Sequence, residues 1–198
     1  MIYHTATHNG ANKQDPAHNV DSMIHIGNGI TVFQHDICKW LDAHGLFKKC
    51  DAIHSELAWR AGYDAFTDGT IADGSTFNDY LDGIVRCIRE LGLPAFILCG
   101  KAMVKRLDPD RAINVRYSYH GFDDARYAIY AFDGDFDVKD EVQGRDFVTT
   151  HFKNVLDFSC GYGSLADAAV RNGCNATLSD INTDCIQYVA RFYCDGRR

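Results

Sequence analysis

Short, continuous apolar runs alternate with polar and amphipathic segments along most of the chain. Runs such as "ITVF", "AFILC" and "VLDF" are bounded by turn residues and are too short for helices, which is typical of strands buried on both faces. The segment "STFNDYLDGIVRCIRELG" instead repeats its apolar residues at helical spacing. The predicted strands are Gly29–Asp36, Cys50–Glu56, Ala95–Gly100, 113–120, 125–132, 154–159 and Ala176–Asp180.

These elements predict a three-layer α/β fold with a largely parallel sheet of about seven strands, because parallel strands need crossover helices. The segments 113–120 and 125–132 flank the turn "GFDD" and predict one antiparallel hairpin. An acidic connector precedes the strand at 154–159. Residues 1–28 have no clear period and are expected to be an irregular N-terminal arm. No linker divides the chain, so 1–198 is expected to be a single domain.

Composition restricts the class of protein. The chain has 198 residues, 46% of them hydrophobic, and a formal net charge of −7. This acidic balance counts against a protein that grips nucleic acid unaided, although a local basic patch stays open. The sequence has no run of 18 apolar residues and no signal-peptide pattern, so we expect a cytoplasmic protein without a membrane span.

Cysteines and histidines do not indicate a metal site. The eight cysteines are scattered singly through apolar segments without a C-x-x-C pair, which favours buried thiols over disulfides or zinc ligands. His4 and His8 have the spacing of ligands on a helix, but their segment is polar and interrupted by glycine. We therefore expect no metal.

The stretch "NVLDFSCGYGSLADAAV" carries the clearest chemical signal. Glycines after a buried strand allow a sharp turn and leave bare amides for a ligand, beside the positive end of the next helix. An ordinary strand-to-helix turn is the alternative interpretation. The interpretation as a ligand-binding turn is supported by Asp180. This residue ends the next strand about twenty residues on, at the usual spacing for a ribose-binding carboxylate.

An acid within that first strand, Asp157, is unfavourable beside a pyrophosphate but suits the sulfonium and ammonium groups of S-adenosylmethionine. Together with "TLSDIN", the stretch resembles motifs one and two of class I S-adenosylmethionine-dependent methyltransferases. The resemblance implies this cofactor, with Asp180 on its ribose. Its methionine part would lie against Asp157, Phe158, Gly161 and Gly163.

The order of segments resembles the permuted, β-type DNA amino-methyltransferases, in which the catalytic half comes first. The resemblance implies a catalytic half at 29–133 and a cofactor-binding half at 150–198. It places Gly29–Asp36 beside Ala176–Asp180, with Asp36 on the adenine amine of the cofactor and Ile37 and Ile181 on its ring faces. Asp36 also suits the N-cap of a following helix, and both roles stay open. The compact, permuted layout is similar to that of phage enzymes.

The catalytic motif departs from the family. Where these enzymes have Asp-Pro-Pro-Tyr or Asp-Pro-Pro-Trp, this chain has Glu56, Leu57, Ala58 and Trp59. Glu56 would act as the catalytic acid, while Trp59 and the nearby Tyr63 would contact a flat acceptor. Trp59 is alternatively an ordinary half-buried loop aromatic. Residues 56–74 contain no cysteine, which disfavours methylation at cytosine C5.

The resemblance implies methyl transfer to an amino group of a nucleic-acid base, most simply adenine. Lys101 and Lys105, with Arg106 and Arg111 nearby, are the candidate phosphate contacts, and a solvated helix face is the alternative. Two other functions stay open. The loss of the prolines fits a degenerate protein that binds S-adenosylmethionine and acts through a protein partner or a homodimer. A small-molecule methyltransferase with an aromatic lid fits as well.

Overall fold

The computed structural model describes residues 23–57, 76–117 and 122–194, and these form one eight-stranded sheet with helices on both faces. Seven strands correspond to the segments predicted above, with bounds that differ by a few residues. The eighth, β1, lies in the segment expected to be irregular. The strands are β1 (Met23–Ile26), β2 (Ile30–Gln34), β3 (Ala52–Glu56), β4 (Ala95–Gly100), β5 (Arg111–Tyr117), β6 (Phe122–Tyr130), β7 (Asn154–Asp157) and β8 (Asn175–Asp180).

A 3-10 helix and six α-helices connect the strands within the described residues. The predicted helix after residue 75 begins after Thr76, whose hydroxyl accepts from the Asp79 amide, and ends at Gly92 with a left-handed φ of 61°. The helices are the 3-10 helix Ile37–Ala43, α1 (His44–Phe47), α2 (Phe77–Leu91), α3 (Lys101–Leu107), α4 (Glu141–His151), α5 (Ser164–Asn172) and α6 (Thr183–Cys194).

The sheet order is β1-β2-β8-β7-β3-β4-β6-β5. The five neighbouring strands β2, β8, β7, β3 and β4 run parallel. Strand β6 is antiparallel to β4 and forms the expected hairpin with β5. Val32 pairs with Leu178 on adjacent parallel strands, so the segments Gly29–Asp36 and Ala176–Asp180 lie side by side as the resemblance implies. Strand β2, near the start of the described residues, and β8, near their end, are therefore neighbours in the same sheet.

Each face of the sheet has its own apolar core, because successive side chains of a strand point to opposite faces. Val32 and Phe96 belong to the core under α4, α5 and α6. Phe33 and Ile97, one residue further along the same strands, belong to the core under the 3-10 helix, α2 and α3. Two covered faces explain why these strands are apolar throughout their length.

Two elements depart from the prediction. The expected irregular arm contains β1, which pairs antiparallel with β2 through a turn where Asn28 and Gly29 have φ of 65° and 76°. The Asn-Gly pair is a hairpin signal, but a four-residue strand gives too little alternation to be recognised. The acidic connector contains α4, capped by Asp140, whose carboxylate accepts from the Gln143 amide at 2.9 Å.

Helix α4 was missed because its apolar residues do not form a stripe. Val142 is 43% exposed, while Gly144 lies buried against the sheet. A glycine at the contact lets the helix approach closely, so packing and not amphipathicity places it. No helix in the described part of the chain is long and apolar enough to cross a membrane.

The contact of α4 with the sheet gives a stability prediction. A Cβ added to Gly144 would lie 2.1 Å from the Tyr127 hydroxyl oxygen, and the Tyr127 ring is fully buried. We expect Gly144→Ala to lower the free energy of unfolding by about 1–3 kcal/mol, despite the better helix propensity of alanine. Chemical denaturation measures this. Gly27→Ala, where a Cβ meets nothing within 4 Å, is the control; equal stability of the two variants would contradict the close packing of α4.

Candidate functional site

Four carboxylates gather where the parallel strands end. Asp180 ends β8, Asp157 ends β7 and Glu56 ends β3, and these three strands are neighbours. Asp36 follows β2, whose last residue, Gln34, pairs with Asp180. Strands β8 and β2 lie on one side of β7, and β3 and β4 lie on the other. Open α/β sheets bind ligands at such a switch point.

The glycine turn between β7 and α5 uses its two glycines differently. Gly163 has φ of 85°, and a Cβ there would lie 2.9 Å from a methyl carbon of Val189 on α6. Gly163 thus allows α6 to pack against the turn. Gly161 has φ of 49°, and a Cβ there would meet nothing within 4 Å. The backbone at Gly161 is therefore left-handed and faces open space, as a turn that accepts a ligand requires.

Asp180 holds the turn in place. Its carboxylate accepts from the amides of Gly161 at 2.8 Å and Asn182 at 2.9 Å, and the Ser179 carbonyl accepts from the Cys160 amide at 3.0 Å. Burial raises the pKa of Asp180, and these backbone donors partly offset the rise. Because each carboxylate oxygen has two lone pairs, Asp180 still has capacity for further donors such as sugar hydroxyls.

Asp157 is the most deeply buried of the four acids, with 3% of its surface exposed. One of its oxygens accepts from the Ser55 hydroxyl at 2.8 Å and from the Ser159 amide at 3.0 Å. The pKa of Asp157 is raised to about 7, because burial and, less strongly, the charges of Glu56 and Asp180 raise it by more than these two donors lower it. An adjacent cation would therefore stabilise its ionised form.

Phe158 and Ser159 connect this turn to α2. Phe158 is 2% exposed and belongs to the core under α2 and α3. The Ser159 hydroxyl lies 3.4 Å from the hydroxyl of Tyr80, near the start of α2. Phe158, which was predicted to lie against the methionine part of the cofactor, is thus a core residue that supports the turn.

The end of β2 lies beside the end of β8. The His35 amide donates to the Asp180 carbonyl at 2.9 Å, and the Gln34 side chain donates to the Ile181 carbonyl at 3.1 Å. Asp36 caps the 3-10 helix, with its carboxylate accepting from the Cys38 amide at 2.9 Å, so its N-cap role is confirmed. Asp36 is half-buried, and so is Ile181. By contrast, Ile37 is only 4% exposed and packs in the core.

Glu56 is not isolated at the end of β3. One of its oxygens forms an ion pair with the guanidinium of Arg145 on α4. The other accepts from the Tyr117 hydroxyl on β5 at 3.5 Å. Burial raises the pKa of Glu56, Arg145 lowers it, and the nearby Glu141 raises it. The carboxylate keeps 22% of its side-chain surface exposed, so another donor can still reach it.

The candidate phosphate contacts separate into two groups. Lys101 and Lys105 lie exposed on α3, and Lys101 directly follows the last residue of β4. Arg106 instead forms an ion pair with Asp82 at 2.7 Å. Arg111 donates to the Gly134 carbonyl at 3.1 Å, so both arginines, although exposed, already bind groups of this chain. Trp59 and Tyr63 lie outside the described residues.

Sequence reasoning missed Ser55, Tyr117 and Arg145. Ser55 sits next to Glu56 but on the opposite face of β3, where it meets Asp157. Arg145 belongs to the helix that was not predicted, and nothing in the local sequence relates it to Glu56. No group of three or more potential metal ligands occurs among the described residues.

The sequence matches no protein-family model and no curated protein, but solved structures share its fold. M1.HpyAVI matches with a TM-score of 0.54 at 11% identity, over 82% of this chain and 97% of that one. Its complex with SAM gives a TM-score of 0.54 at 12% identity, over 82% and 97%. TTHA0409 from Thermus thermophilus, described as a candidate DNA modification methylase, gives 0.53 at 12%, over 84% and 94%. At such identities the likeness establishes the α/β fold alone.

The environment of Asp157 predicts how stability depends on pH. The raised pKa means that the folded protein holds a proton more tightly than the unfolded chain. The protonated carboxyl therefore stabilises the fold fully below a pH of about 4, and this stabilisation is lost as the pH rises to about 7, by about 1.4 kcal/mol per unit. Asn stays neutral and still accepts from Ser55. We expect Asp157→Asn to be more stable than the parent above pH 7 and not near pH 4.

Thermal unfolding followed from pH 4 to 8 measures this difference. Asp133→Asn is the matched control, because Asp133 is exposed and follows β6, away from the glycine turn. Parallel stability curves for the parent chain and Asp157→Asn would show that Asp157 is not the buried acid that its surroundings indicate.

Proposed function

We propose that this protein is an S-adenosylmethionine-dependent methyltransferase that modifies an amino group of a nucleic-acid base, adenine being the simplest acceptor. The observation that carries this proposal is that the open Gly161 turn lies beside a buried acid, Asp157, and a half-buried acid, Asp180, at the switch point of the sheet. Structures of the same fold include one solved with SAM and one described as a candidate DNA modification methylase.

The residues at the turn fit this cofactor. A sulfonium and an ammonium are cationic, whereas the hydrogen bonds described above give the Asp157 carboxylate only neutral donors, Ser55 and Ser159. Asp180 has lone pairs left for the ribose hydroxyls. Asp36 and Ile181 lie close to Asp180 in the fold, which supports a role for both beside the adenine ring of the cofactor. The open space over Gly161 lets a ligand approach the backbone closely.

The order of the two halves supports a circular permutation. Strand β7 and its glycine turn open the cofactor half, yet they follow β2 to β6 in the sequence. The parallel pairing of β2 with β8 joins the two halves at the cofactor side, as the permuted, β-type arrangement requires. The sheet order within the described residues matches that arrangement, with β1 as an additional edge strand.

Bound S-adenosylmethionine would supply a methyl group: as the acceptor nitrogen bonds to the methyl carbon, the bond to the sulfonium sulfur breaks, the neutral thioether leaves and the amine loses one proton to water. Alignment of the acceptor is the main task of the protein, and a carboxylate that accepts a hydrogen bond from an amine raises the electron density on its nitrogen. Glu56 serves as this acceptor, and Trp59 and Tyr63 provide flat contacts for the base. Lys101 and Lys105 bind the phosphates next to it.

Cofactor binding gives the first functional prediction. Calorimetry should detect binding of S-adenosylmethionine and none of NAD, because an acid at Asp157 disfavours a pyrophosphate. Asp180→Ala should weaken the affinity by about tenfold or more, through lost hydrogen bonds to the ribose. The affinity of Asp180→Asn should lie between those of the parent chain and Asp180→Ala. Asp135 is an exposed acid on the connector, and Asp135→Ala should bind S-adenosylmethionine with the affinity of the parent chain. Tight NAD binding without a response to S-adenosylmethionine would refute this cofactor.

Methyl transfer gives the second functional prediction. With radiolabelled S-adenosylmethionine and adenine-containing oligonucleotides, Glu56→Gln should cut methyl transfer on the order of a hundredfold, the usual contribution of a positioned acid–base group. Cofactor affinity should persist, because the cofactor contacts lie on other residues. Glu90→Gln, an exposed acid near the end of α2, is the control. Cofactor binding in the parent chain without transfer to any acceptor would favour the degenerate binding protein instead.

A further inference from the structure

The ion pair between Arg145 and Glu56 joins two elements that are distant in sequence. Arg145 lies on α4, ahead of the cofactor strand β7, and Glu56 ends β3. The side chains of Arg145 and Glu56 are 13% and 22% exposed, so the pair lies mostly away from water but stays partly accessible. Tyr117 donates to the second oxygen of Glu56 from β5. The carboxylate is thus held from two sides.

The packing of α4 fixes the position of Arg145. Gly144, its neighbour, lies against the ring of Tyr127 at a distance that no side chain permits. The Tyr127 hydroxyl lies 2.9 Å from the ring nitrogen of His54 on β3 and donates to the Glu141 carbonyl on α4 at 3.4 Å. These contacts anchor the first turns of α4 over β3 and β6. The backbone that carries the Arg145 side chain is therefore held rigidly.

The charges around Glu56 make the arginine necessary. Glu141 on α4, Asp157 on β7 and the phenols of Tyr117 and Tyr127 on β5 and β6 all lie close enough to interact with it electrostatically. His54, on β3 itself, is fully buried, and burial lowers its pKa to about 3, so it stays neutral. Arg145 is the one cation among these groups of the described chain. Without it, two further acids and the loss of solvation would favour protonation of Glu56.

A protonated carboxyl cannot serve as an anionic acceptor for an amine. The chain also lacks the two prolines that stiffen the corresponding segment of the methyltransferases it resembles. A guanidinium paired with a carboxylate restricts the carboxylate rotamer and keeps it ionised. Both requirements of the candidate catalytic acid are therefore met by one residue outside its own strand.

We infer that Arg145 is the positioning residue of Glu56, holding its carboxylate ionised and oriented toward the acceptor. The inference rests on the proposed function for its catalytic meaning. The contact itself concerns only the described residues, so it can be tested separately.

The test compares Arg145→Gln and Arg145→Lys with the parent chain in the transfer reaction, with radiolabelled S-adenosylmethionine and adenine-containing oligonucleotides as probes. Arg145→Gln should move the acid limb of the pH–rate profile upward by about 1–3 units, the usual effect of losing an opposite charge, so that transfer recovers at high pH. Arg145→Lys should keep the parent limb at a reduced kcat, because lysine retains the charge without the guanidinium geometry. The affinity for S-adenosylmethionine should not change in either variant.

Arg171→Gln is the matched control, since Arg171 on α5 forms an exposed ion pair with Asp146, the neighbour of Arg145 on α4. A loss of activity that is equal at every pH in Arg145→Gln and Arg145→Lys would indicate a merely structural role and overturn the inference. So would a parent-like pH profile in both variants. Arg145→Lys alone decides the point if Arg145→Gln does not fold, because parent-like kcat in that variant would also overturn it.

A second measurement separates this inference from the proposed function. In protein labelled at the glutamate carboxyl carbons, NMR titration follows the Glu56 carboxyl directly, and Glu56→Gln identifies its signal. Removal of Arg145 should raise the pKa of Glu56 whether or not the protein transfers a methyl group. An unchanged titration would overturn the inference, whereas a raised pKa without any transfer by the parent chain would refute only the proposed function.

Discussion

The parallel pairing of β2 with β8 is the interaction on which the rest of the structure depends. It joins the strand that follows the first hairpin turn to the last strand of the chain, with Ile30 opposite Ala176 and Gln34 opposite Asp180. Such a long-range pairing closes a large loop and must recover that entropy through burial of both faces of the strands. Val32 and Leu178, both fully buried at its centre, provide this burial. The pairing also brings Asp36 beside Asp180, so the candidate cofactor site is assembled from both parts of the chain.

Four acids lie close together at the carboxyl ends of the parallel strands, which is electrostatically unfavourable. Each of them is stabilised differently. Asp180 accepts from two backbone amides, and Asp36 accepts from the amide at the start of the 3-10 helix. Glu56 has the guanidinium of Arg145. Asp157, the most buried, accepts from a hydroxyl and one amide, and burial raises its pKa to about 7. This strongly perturbed acid thus lies at the switch point, where perturbed groups most often serve function.

Most of the sheet could be predicted from sequence because its strands are buried on both faces and therefore continuously apolar. The run Ala95–Gly100 has the observed bounds of β4, and the Asp180 spacing from the glycine turn places β8 correctly. The edge strand β1 and helix α4 were missed for related reasons. β1 is short and pairs on one side only, and α4 packs through Gly144, which carries no apolar signal. The contact of Arg145 with Glu56 followed from no local pattern, because only the folded sheet brings these residues together.

The segment between β3 and α2, which carries Trp59 and Tyr63, is attached to the sheet at two fixed points beside the candidate site. At its start, Leu57 is 2% exposed and its amide donates to the Leu98 carbonyl at 2.9 Å. After it, Thr76 caps α2, and Tyr80 reaches Ser159 in the glycine turn. Both attachments therefore contact the strands and the turn that would hold the cofactor. The described residues on either side of this segment therefore lie beside Glu56 and the glycine turn, the two features on which the proposed methyl transfer depends.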